Sequence, residues 1–132
     1  MVSITRNQLK RLRGRVMSRV IKFRAWDTKR NIILNGVSVN DGKAVEKGYQ
    51  WITQPTSAAY LKLMQFTGLT DKNGVDIYEG DIVKENYLDC IGRIFYHDSY
   101  CQFKFKCGLV NSVINSDVEV IGNIHQHPEL LK

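Results

Sequence analysis

From residue 21 the chain alternates apolar and polar positions. Ile21, Phe23 and Ala25 stand against Lys22, Arg24 and Trp26. A period of two predicts a half-buried strand. Residues 27–31 predict a turn, and 31–39 a second strand interrupted at Gly36. The polar run 40–47 contains Asn-Asp-Gly and predicts a loop or hairpin tip. Residues 48–59 give no clear period, and Pro55 argues against a central strand there. A strand follows at 62–68, with its turn at 71–74. Glu79-Gly-Asp81 predicts a sharp turn into a strand at 82–87. Segments 90–96 and 100–107 predict a hairpin across His97-Asp-Ser99. Its second strand has the clearest alternation: Cys101, Phe103, Phe105 and Cys107 on one face, Gln102, Lys104 and Lys106 on the other. The last strand is expected at 118–125, with a bulge at Gly122.

One segment breaks this period. In residues 4–18, Leu9, Leu12 and Val16 recur at spacings of three and four, which aligns them on one helix face. Thr5 and Gln8 have the spacing of a capping box. The other sides carry Lys10, Arg11, Arg13 and Arg15. Many short strands with glycine turns therefore predict a mainly β fold, a β-rich α+β arrangement. Its C-terminal half reads as a small, partly open SH3-like barrel. An N-terminal helix and β-hairpin elements precede it.

Charge sharpens this division. The net charge is +6, but residues 1–24 hold eight basic residues and no acid. The rest of the chain holds eleven basic and thirteen acidic residues. The positive charge belongs to one end, not to a groove across the domain. Lys10, Arg11, Arg13, Arg15 and Arg19 are thus candidate contacts to nucleic acid, or to a docking partner through the apolar stripe. A merely solvated helix face is the bland alternative. The 132 residues suit one domain, and no apolar run is long enough for a membrane span. The basic start lacks the apolar segment of a secretory signal.

The candidate chemistry is sparse. Cys90, Cys101 and Cys107 make an odd count without a Cys-x-x-Cys. On one strand Cys101 and Cys107 would lie about 20 Å apart and could not bridge. Free thiols in a reducing cytosol are expected. His125 and His127 would point to one side of an extended chain, but a metal needs a further ligand. No metal and no cofactor is expected. Asp71, Asp76, Glu79 and Asp81 cluster near turns, where carboxylates cap backbone N–H groups. Catalysis would require a pocket joining them to His97. Trp26, Tyr49, Trp51 and Tyr60 would suit base stacking only beside a basic groove. Tyr78 stands between two turns as a candidate contact.

Three blocks carry a family likeness. They are Ile21-Lys-Phe-Arg-Ala-Trp-Asp27, the stretch from Leu63 to Val83, and Val120-Ile-Gly-Asn-Ile124 followed by Pro128-Glu-Leu-Leu131. In order they resemble the YopX-like family of phage and prophage proteins, from about residue 17 to the end. The resemblance implies a small, β-rich, phage-encoded protein in the cytoplasm of a bacterial host. It brings no catalytic residue. Met17 looks like the usual start, so 1–16 read as a basic helical extension, or as the product of an upstream start codon, and 17–132 as the domain. From Met17 there are fourteen basic and thirteen acidic residues, close to neutral. The histidines at 125 and 127 fall outside the family pattern.

The functional expectation is a non-enzymatic accessory protein. It would self-associate as a homo-oligomer through exposed strand edges and modulate a host or phage protein. Trp26, Tyr78, Glu79 and Asp81 are its candidate contact residues. The alternative is nucleic-acid binding through the basic helix.

Overall fold

The computed structural model describes residues 5–6, 19–40, 43–45 and 60–131. Of the expected helix at 4–18 only Thr5 and Arg6 fall among these. The unassigned stretch 48–59 lies outside them. The described residues form eleven strands: β1 (Phe23–Asp27), β2 (Ile32–Asn35), β3 (Ser38–Asn40), β4 (Lys43–Val45), β5 (Leu61–Thr70), β6 (Asp76–Tyr78), β7 (Asp81–Glu85), β8 (Cys90–His97), β9 (Gln102–Cys107), β10 (Val110–Val113) and β11 (Val118–Asn123). No described helix is long and apolar enough to cross a membrane.

Every pairing is antiparallel. One sheet runs β2-β1-β5-β6, a second runs β10-β9-β8-β7-β11, and β3 and β4 form a separate hairpin. The five-stranded sheet curls into a half-barrel. Strands expected from the alternation are present. β4, β6 and β10 depart from the expectation, β4 inside the run 40–47 read as a loop or hairpin tip, because three and four residues are too short to display a period. The bulge falls where expected, as a register shift between Val120 and Gly122.

Each sheet has its own core. In the half-barrel Ile77, Val83, Ile94, Phe105, Ile114 and Val118 pack together. Ala25, Val37 and Leu61 form a second cluster, and Met64, Phe66 and Tyr78 a third. Strand geometry explains the split. Successive side chains point to opposite faces, so β1 sends Ala25 to one cluster and Trp26 towards the other side. Both are buried. β1 is therefore covered on both faces, where the sequence reads as half-buried.

The cysteines correct the free-thiol expectation. Cys90 and Cys107 form a disulfide across the neighbouring strands β8 and β9, with Cα atoms 6.4 Å apart. Antiparallel pairing brings together residues 17 apart in sequence. Cys101 precedes β9, holds a positive φ of 51°, and is free and exposed. Closing a loop of this size stabilises by about 3 kcal/mol through the unfolded chain. Dithiothreitol is therefore expected to lower the unfolding free energy by about 2–3 kcal/mol, read from urea midpoints. Cys90→Ser should reproduce that loss, and Cys101→Ser should not.

Candidate functional site: the sheet junction and the open edge

Residues 76–81 carry the chain from one sheet to the other. Within β6, Ile77 enters the half-barrel core while Tyr78 enters the cluster with Phe66 and Met64. Gly80 then turns with φ 87°. A Cβ there would lie 3.1 Å from the Met64 terminal methyl, so both conformation and space call for glycine. Backbone bonds tie the turn to both sheets: Glu79 N–H donates to the Gln65 carbonyl at 2.8 Å, and Gly80 N–H to that of Ile94 at 2.8 Å.

Charges lock this crossing. Asp81 is buried, accepts the Tyr78 N–H at 2.8 Å and pairs with Arg24. The Arg24 guanidinium lies 4.3 Å from the Tyr78 ring centroid, a cation–π contact. Beside it Lys22 meets Asp76 at 2.6 Å and lies over Phe66 at 4.4 Å. Burial pushes the Asp81 carboxyl up to about 6, although Arg24 and the Tyr78 N–H pull the other way.

The other carboxylates do the capping work expected near turns. Asp71 accepts N–H groups of Asn73 and Val75, and through its second oxygen that of Val120 at 3.0 Å. Burial would raise its carboxyl, but these bonds hold it below the ordinary range. Glu85 likewise accepts from Tyr87 and Leu88.

Two clefts open around the junction. One, of about 360 Å³, lies between β5 and β8 and is lined by Lys62, Glu79, Arg93, Phe95 and His125 over Met64. Burial, and then the cations Lys62 and Arg24, hold the His125 imidazole below its usual value. Burial raises the Glu79 carboxyl, which accepts the Gln65 backbone N–H. The other cleft, of about 550 Å³, is lined by Arg19, Val20, Leu69, Tyr96, Phe103 and Val113.

Val113 also belongs to the outermost strand of the half-barrel. All four residues of β10 are exposed, with Leu109 fully exposed beside them. The opposite outer strand, β11, is different. Its outer edge meets the β5–β6 turn, where Lys72 N–H donates to the Val118 carbonyl and Asp71 accepts from Val120.

The expected contact residues separate on this frame. Tyr78 and Asp81 are buried at the junction and Trp26 is buried in β1, while Glu79 is half-buried at the cleft. Arg19 is exposed and lines the larger cleft. Lys10, Arg11, Arg13 and Arg15 lie outside the described residues, as do Tyr49 and Trp51. Tyr60 is half-buried beneath Lys29. His97 packs against Phe95 and Tyr100 and lines neither cleft. His125 faces the smaller cleft, whereas His127 Nδ1 accepts the Asn123 N–H at 3.4 Å. No group of three or more potential metal ligands forms among the described residues.

Arg24, Lys62 and Arg93 stand at the junction and its cleft without having been candidates from the sequence. Two of these had a signal. Arg24 shares strand parity with Trp26, and Lys62 with Met64 and Phe66, so each places a cation on an otherwise buried face.

The family model described as YopX protein matches residues 22–132. The chain belongs to the YopX family. The match opens at Lys22, leaving Lys10, Arg11, Arg13, Arg15 and Arg19 ahead of it. This YopX chain is also similar to the crystal structure of protein EF1440 from Enterococcus faecalis, at 28% identity and a TM-score of 0.58. The likeness covers 87% of this chain and 100% of that one. No curated protein matches the chain.

Proposed function

We propose that this YopX protein is a phage- or prophage-encoded accessory protein that works by protein–protein interaction. It self-associates, holds a host or phage protein, and acts in the host cytoplasm without catalysis of its own. The observation that carries this reading is the β10 edge. We take the five-stranded half-barrel, in the order β11-β7-β8-β9-β10, as a partly open SH3-like scaffold. Its open side ends in a strand without proline or charge, the devices that usually protect an edge.

The edge suits a second copy. Val110-Asn-Ser-Val113 is nearly palindromic, so a two-fold axis would pair valine with valine and Asn111 with Ser112. The neighbouring cleft, sharing Val113, offers apolar lining beyond the strand. Val110→Lys with Val113→Lys is expected to hold the protein as a monomer at concentrations where the wild type assembles. Light scattering on both forms tests this. A wild type that stays monomeric at high concentration refutes self-association, and an unchanged oligomer in the double variant removes β10 from the interface.

A further inference from the structure

The smaller junction cleft has chemistry that pairing through β10 leaves unused. Its volume of about 360 Å³ lies within the range of small-molecule sites. The floor is apolar, with Leu63, Met64, Phe95 and Ile124. The polar wall has two basic side chains, Lys62 and Arg93, and the imidazole of His125. Its one carboxylate, Glu79, is raised by burial and drawn down by the Gln65 N–H, and it stands against the two cations as the wall's single acidic group. Arg24, half-buried and outside the lining, adds positive field at His125. A partly dry wall of net positive sign focuses that field and attracts anions.

The donors also match a particular head group. An arginine fork, a lysine point charge and an imidazole N–H together suit the several oxygens of a phosphate. The apolar floor asks for more than a bare ion. We propose that this cleft binds a small organic phosphate monoester, with Lys62, Arg93 and His125 on its phosphate and Met64, Phe95 and Ile124 against its apolar body. The phosphate offsets the repulsion that Lys62 and Arg24 exert on a charged imidazole. Binding of the phosphate dianion therefore favours protonated His125, so the imidazole takes up a proton more readily in the complex than in the free protein.

Phenyl phosphate, titrated into the full chain and followed by NMR of the histidine ring protons, tests this. His97 and His127 serve as internal references. The expected result is a saturable shift at His125 and an upward movement of its titration. Lys62→Gln and Arg93→Gln, both at exposed positions, should each weaken binding roughly tenfold while leaving the backbone spectrum folded. Phenol and inorganic phosphate should each bind more weakly than phenyl phosphate. Tighter binding of AMP would make the ligand a nucleotide, and equal binding would leave the aromatic phosphate as the recognised unit. The proposal is overturned if phenyl phosphate leaves His125 unmoved at millimolar concentration. It is overturned equally if both variants bind as well as the wild type, or if inorganic phosphate binds as tightly. None of these results bears on assembly through β10.

Discussion

Replacing Gly92 by alanine is expected to destabilise the fold by about 4 kcal/mol, near the limit for a single substitution. Gly92 sits in β8 opposite Val83 of β7. A Cβ there would fall on the Lys106 carbonyl oxygen and come within 2.6 Å of the Phe105 ring. Lys106 is backbone of the neighbouring strand, so no side-chain rotation relieves the clash. Either β8 and β9 part, or Phe105 leaves the half-barrel core. Urea unfolding should show the midpoint collapse, or no cooperative transition at all. A Gly92→Ala protein within about 1 kcal/mol of wild type would mean that β8 and β9 are not packed as described.

The second large effect lies at Asp81. Asp81→Ala is expected to remove about 3 kcal/mol. It strands the buried Tyr78 N–H without an acceptor and leaves Arg24 without its carboxylate. Asp81→Asn should be far milder, within about 1 kcal/mol of wild type, because the amide keeps an acceptor for Tyr78. The pH dependence follows from the same burial. The folded carboxyl titrates at about 6, above an unfolded aspartate. Its contribution is then complete below the unfolded value and is lost as pH rises through 6. Asp71 has the opposite sign. Its folded value is lowered, so its contribution is present above the unfolded value and is lost as pH falls through the lower folded one. Comparing wild type with Asp81→Asn removes most of the Asp71 background, leaving only the part by which the Asp71 charge itself raises Asp81. Between about pH 4 and 6 the wild type should lose stability relative to the variant. A flat difference, or an asparagine as damaging as alanine, would show that the Arg24 charge pair rather than the acceptor holds the junction.

Much of this architecture is legible in the chain because period-two alternation is a local property. β1, β5, β8 and β9 follow from it directly, as do the turns at Asp71 and Gly80. The capping carboxylates are legible for the same reason, since Asp71 reaches N–H groups two and four residues ahead. What was not legible depends on contacts between distant segments. The Arg24–Asp81 pair spans 57 residues. The Cys90–Cys107 bond requires the β8–β9 register, which no spacing rule supplies. Trp26 and Tyr78 read as contact residues, yet both are buried, Tyr78 against Met64 and Phe66 from a strand that precedes it. Lys62 and His125, 63 residues apart, meet in one cleft only after the two sheets are joined.

The open β10 edge is the centre of the functional account, and its backbone amides can be watched directly. Amide hydrogen exchange at low and high protein concentration would follow β10 and β11 together. The account predicts that protection within Val110–Val113 grows with concentration, while β11, already covered by the Asp71–Lys72 turn, stays constant. Protection of β10 that is independent of concentration, in a protein whose mass also does not change, would contradict assembly through this edge.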